Sequence, residues 1–140
     1  MPRYMLDTDT CSYVMRRSHE RVLRRLGTLA VRDVCISVIT KSELLYGVEL
    51  SPRRRQDAAA LQAFLEYAEV ADFPDMAAPF YARIRADLKR RGMLIGANDL
   101  FIAAHAASLG LTLVTMLIAT VLLFLGASST PRLGPSTDPC

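Results

Sequence analysis

Cysteine is scarce and unpaired. Cys11, Cys35 and Cys140 form no close pair and leave an odd count, which argues against a disulfide framework or a thiolate metal cage. No Gly/Ser or Gln-rich tract is present, so the chain lacks the composition of a disordered polymer. No signal peptide opens it, because Asp7 and Asp9 interrupt the first apolar run almost at once. Together these absences make the cytoplasm the expected compartment. Ser and Cys nucleophile motifs, a Walker-type glycine loop and a dinucleotide-binding glycine pattern are also missing, which removes ATP hydrolysis and hydride transfer. His19 and His105 have no partner at metal-ligand spacing, and His105, on an Ala-rich segment, reads as a core or surface residue.

What is there suits one globular domain. The chain has 140 residues, 51% of them hydrophobic and 22% charged, enough to bury most of the surface its unfolded form would expose. The net charge is +3, and 15 of the 17 basic residues are arginine, whose planar fork suits phosphate and carboxylate recognition. A polyanionic partner is consistent with this. Arg16, Arg17, Arg21, Arg24 and Arg25 equally suit a solvated helix face, so charge alone does not establish nucleic-acid binding.

Along the chain, short apolar runs alternate with helical stretches. Tyr4 to Leu6 reads as a buried strand stopped by the capping turn Asp7-Thr8-Asp9-Thr10, with a helix from about Ser12 to Leu26. Val34 to Ile39 is a β-branched run of strand length, and Thr40-Lys41-Ser42-Glu43 after it has capping-box form. A further helix runs to about Tyr67, Val70 to Phe73 suggests a short third strand, and Asp75 to Arg91 suggests another helix. Asn98 is placed to cap a helix running to about Leu109, and Gly110 to end it before a strand from Leu111 to Val114. This alternation predicts an α/β fold, a parallel sheet with helices on both faces.

Three acids fall where strand-to-helix connections open onto the carboxyl edge of that sheet: Asp7, Glu43 and Asp99. Open α/β folds bind ligands at this edge. Hard oxygen ligands there suit magnesium, which takes one or two carboxylates and keeps several waters; a metal-dependent phosphodiesterase is the matching chemistry. Crowded carboxylates repel one another, so without a cation at least one is expected to titrate above its ordinary range. Each acid also has a plain structural use. Asp7 or Asp9 suits a helix cap, Glu43 the capping box from Thr40, and Asp99 a helix N-terminus.

Taken in order, Tyr4-Met5-Leu6-Asp7-Thr8-Asp9-Thr10-Cys11, the segment Cys35 to Gly47, Ile95-Gly96-Ala97-Asn98-Asp99, Arg83 to Leu88 and Phe101 to Ala106 resemble VapC toxins with PIN domains. The likeness is nearest to the subgroup that cleaves initiator tRNA, and it covers residues 1–115. The resemblance implies a PIN-like three-layer fold and a magnesium-dependent endoribonuclease acting on RNA, with tRNA the expected target. It also implies metal held by Asp7 and Asp99 with Glu43 in the catalytic cluster, a VapB-type antitoxin partner and a homodimer.

Two features depart from the family's pattern. Asp9 stands where close relatives usually have Asn. After Thr115, relatives continue with a polar turn, a charged segment and a final strand, whereas here Met116 begins an apolar run and residues 128–140 form a Pro/Ser/Thr/Gly tail. The expected division is therefore a nuclease domain over 1–115 and a divergent segment over 116–140, with the final strand missing or altered. Leu109 to Ala127 carries no charge over nineteen residues, near the length of about 20 that spans a membrane, but Leu111 to Val114 is already claimed by a core strand. Three functions follow in order of preference: active ribonuclease, inactive remnant that still binds antitoxin, and tail-anchored membrane protein.

Overall fold

The computed structural model describes residues 2–17, 20–93 and 95–115. Strand β1 (Tyr4–Leu6) leads to α1 (Thr8–Arg16) and α2 (Glu20–Leu26). A single 3-10 turn (Val31–Asp33) precedes β2 (Val34–Ser37), α3 (Val38–Leu50) and α4 (Arg54–Tyr67). Then come β3 (Glu69–Ala71), α5 (Ala77–Arg90), α6 (Ala97–Ser108) and β4 (Thr112–Val114). The strands form one parallel sheet in the order β3-β2-β1-β4. The chain thus steps outward from β1 through β2 to β3, then returns to the other side of β1. Strand order reverses between β1 and β4, and the carboxyl end of such a reversal is where open α/β sheets place their ligand crevice.

Period-two alternation along each strand divides the apolar residues between two layers. Leu6, Ile36 and Val114 join Cys11, Leu44 and Leu61 beneath α1, α3 and α4. Met5, Cys35 and Leu113 join Ile102 and Ala106 of α6 on the opposite face. Helices on both faces of a parallel sheet are therefore as expected. Cys11 and Cys35 are free and buried, and burial raises both thiols, Cys35 to about 11, so both pack as small apolar groups.

The element boundaries differ from the sequence expectations in ways that have causes. The helix expected over Ser12 to Leu26 is two helices. It starts four residues earlier, at Thr8, because Asp7 caps it, and α1 stops at Arg17, which adopts φ 51 and ψ 39. β2 ends at Ser37 rather than Ile39, because the Ser37 hydroxyl accepts the Ile39 N–H and starts α3. Gly96, not Asn98, stands at the N-cap of α6. The ends of α5 and α6 match expectation more closely. Gly92 and Gly110 have φ of +68 and +67, and each closes a Schellman motif: Met93 N–H bonds Leu88 O, and Leu111 N–H bonds Ala106 O. The second motif turns the chain straight into β4.

Among the described residues no helix is long and apolar enough to cross a membrane. The expectations for Met116, the final strand and the 116–140 tail, like that for His19, lie outside the described residues.

Candidate active site

Asp7 sits at the end of β1 with its side chain 3% exposed. One carboxylate oxygen accepts the Thr10 N–H at 2.8 Å, capping α1, and the other accepts the Thr115 hydroxyl. Its backbone N–H bonds Val114 O at 3.0 Å, and the Thr10 hydroxyl donates to the same carbonyl at 3.2 Å. The acid is thus gripped by two neighbouring strand ends at the reversal of strand order. Capping and site-building are not rivals here, since one oxygen serves the helix while the carboxylate as a whole stays at the sheet edge.

Glu43 lies two turns into α3. Since Ser37 is the cap and Thr40 only the third residue of the helix, Glu43 is not the acid of a capping box, and that reading is corrected. Instead Glu43 Oε1 accepts the Thr8 hydroxyl at 2.7 Å, and the buried Thr40 hydroxyl stands 3.5 Å from the same Thr8 oxygen. Thr40 and Glu43 share a helix face through their three-residue spacing, so α3 presents both to the start of α1. This contact joins residues 35 apart in sequence.

Asp99 is the third residue of α6 and half-buried. Its carboxylate leans over the helix start: a Cβ built on Gly96 would lie 3.2 Å from Asp99 Oδ2. Gly96 therefore leaves the space this carboxylate uses. Burial raises the Asp99 pKa first, and the charges of Glu43, Asp7 and Asp9 raise it further. Asp9 is raised likewise, by partial burial and then by Asp7 and Glu43. Every charge acting on these two carboxyls is another carboxylate, so four acids from three separate segments share one electronegative site.

The donor set fits a hard divalent cation, being all oxygen: four carboxylates and the hydroxyls of Thr8 and Thr115. Among the described residues no group of three or more Asp, Glu, His or Cys side chains stands close enough together to hold a metal ion by itself. An ion that uses one or two carboxylates and retains its waters needs no such group, and the uncompensated repulsion is what its charge would relieve. Beside Glu43 a cleft of about 610 Å³ runs between α1, α3 and α4. Thr8, Ser12, Arg16, Glu43, Arg53 and Asp57 supply its polar lining.

The sequence located Asp7, Glu43 and Asp99, and the structure brings them to one edge. It did not single out Thr8, Thr115 or Gly96. Thr8 was visible only as part of a polar capping turn, Thr115 as the residue after a strand, and Gly96 as a member of the Ile95 to Asp99 segment.

The model of the PIN domain family matches residues 4–116. A ribonuclease VapC2 of Haemophilus influenzae is 40% identical over 115 residues, covering 82% of this chain and 86% of the relative. A tRNA(fMet)-specific endonuclease VapC of Salmonella typhimurium is 39% identical with the same coverage. Among solved structures, VapBC2 from Rickettsia felis bound to a DNA fragment from its promoter contains a chain with a TM-score of 0.73 and 36% identity. That match covers 80% of this chain and 85% of the other.

Proposed function

The chain belongs to the PIN-domain family, among its VapC ribonucleases, and on that premise we propose that it is a magnesium-dependent endoribonuclease that cuts tRNA as the toxin of a toxin–antitoxin pair. The observation that carries the reading is the meeting of acids from three segments: Asp7 held at the end of β1, Glu43 of α3 bonded to Thr8 beside it, and Asp99 at the start of α6, its carboxyl raised by burial and by the other acids. A purely structural cap has no reason to share its field with two others.

Asp7 and Asp99 would hold the metal, with Glu43 beside them. Asp7 is the fixed member, each oxygen already anchored by a donor of the fold. Glu43, oriented by Thr8, is placed to take a proton from water at Oε2, the oxygen not engaged by Thr8. Magnesium, when bound, supplies positive charge to the scissile phosphoryl group and acidifies water. The cleft beside Glu43 gives the RNA strand a path, with Arg16 and Arg53 facing its phosphates.

The tRNA assignment is supported by the Salmonella relative's specificity, and a VapB-type antitoxin partner by the Rickettsia complex. A homodimer, a cytoplasmic setting and a nuclease unit ending near Thr115 complete the proposal. Purified protein incubated with total tRNA is expected to cut in magnesium, to stop in EDTA, and to lose cutting on Asp99→Asn. Equal cutting by Asp99→Asn would sink the assignment; antitoxin binding without cutting by the unmodified chain would make it an inactive remnant.

A further inference from the structure

His105 is wholly buried on the inner side of α6, yet it is not an apolar filler. Its Nδ1 lies 2.8 Å from Ser37 Oγ. Ser37 is itself wholly buried, and its Oγ already accepts the Ile39 N–H at 3.1 Å as the cap of α3. The hydroxyl proton is then free for Nδ1, which leaves the ring proton on Nε2. Nε2 makes no hydrogen bond of good geometry, although the Asp72 backbone lies close enough to the ring to favour its protonated form. The Phe73 ring meets His105 edge-on at 5.2 Å and Phe101 at 5.6 Å, closing the pocket. A buried imidazole whose second nitrogen lacks a well-formed hydrogen bond is costly, and leucine would fill comparable space without that cost.

What the imidazole joins accounts for its presence. It lies six residues after Asp99 on α6, and Ser37 lies six residues before Glu43 at the root of α3. We propose that His105 is a positioning residue: its bond to Ser37 sets the register of α6 against α3 and thereby the separation of Asp99 from Glu43. The proposal rests on the reading of those acids as a metal site.

The test uses the full-length protein free of RNA. Mn2+ affinity is measured by calorimetry, and backbone amide spectra are recorded in EDTA. His105→Leu is expected to bind Mn2+ about 10-fold more weakly, the size of effect known for residues that orient metal ligands, with the Glu43 and Asp99 amide resonances displaced. His105→Asn, whose Oδ1 stands near the place of Nδ1, should restore both. Ser37→Gly removes the partner hydroxyl while keeping an acceptable cap, so it gives the same readout if His105→Leu does not fold. Unchanged Mn2+ affinity and unmoved Glu43 and Asp99 amides in a folded variant would overturn the proposal, even with a lowered melting temperature. If the unmodified protein bound no Mn2+, the metal reading would fail instead, and the amide displacements would still decide whether His105 sets the spacing.

Discussion

Thr8 Oγ1 is the atom that ties the first acidic segment to the second, and the strength of that tie can be measured. Its bond to Glu43 is charge-assisted and short, a type worth about 1.5 kcal/mol or more. Thr8→Val keeps the branched shape and deletes the donor, so the rate of tRNA cleavage should fall roughly 10-fold. Thr8→Ser should recover most of it, because the hydroxyl returns. If valine and serine behaved alike in a cleavage time course, Thr8 would be a packing residue and no more. Of the acids themselves, Asp7 shows why a single-residue reading stalls. The same carboxylate caps α1 with one oxygen and receives Thr115 with the other, so the question of cap or ligand has no exclusive answer. Thr115 was out of reach because its role depends on β4 lying next to β1, a pairing of residues 108 apart.

Asp7 and Asp99 stand at helix starts and Glu43 in the second turn of its helix, and the three helices begin differently. An aspartate caps α1, a buried serine caps α3, and α6 begins at a glycine without a side-chain cap. Sequence rules locate such starts to within a few residues, but competing polar residues confuse them. Thr40 looked like the cap of α3 because Glu43 follows at capping-box spacing. Ser37 took that place because the parallel pairing with β3 ends at Ser37↔Ala71. At α6 the missing side chain is the useful feature. Gly96 has φ −60 and ψ 150, a conformation alanine adopts freely, so Gly96→Ala should leave thermal unfolding unchanged or slightly improved through the unfolded chain. Its methyl would nonetheless meet Asp99 Oδ2 at 3.2 Å. Cleavage is therefore expected to drop several-fold while the melting temperature holds, as read by circular dichroism beside the activity assay. Full activity in a folded alanine variant would show that Asp99 has room to spare.

For the whole molecule, stability and function pull on the same groups. His105 is lowered from its ordinary value chiefly by burial, with the Asp72 backbone opposing. The unfolded chain therefore takes up a proton below about pH 6.5 that the folded chain resists. Stability from this group is complete above that value and is lost as pH falls toward the folded pKa. A thermal melt series without metal should show the melting temperature declining below about pH 6.5, and His105→Leu should flatten that decline. A decline of equal steepness in the variant would assign it to other groups. Much of this architecture could be read before any coordinates. Period-two apolar runs and glycine-ended helices determine a parallel α/β sheet, because burial and backbone geometry act locally. The positions of Asp7 after the first strand, Glu43 on the helix after the second and Asp99 at the start of the last helix were legible for the same reason. Only the tertiary structure decided that β4 returns beside β1, that Thr8 and Thr115 hold the acids, and that His105 braces α3 against α6. Those contacts join residues 35, 68 and 108 apart. Their existence depends on strand order and helix packing, which no local pattern of residues encodes.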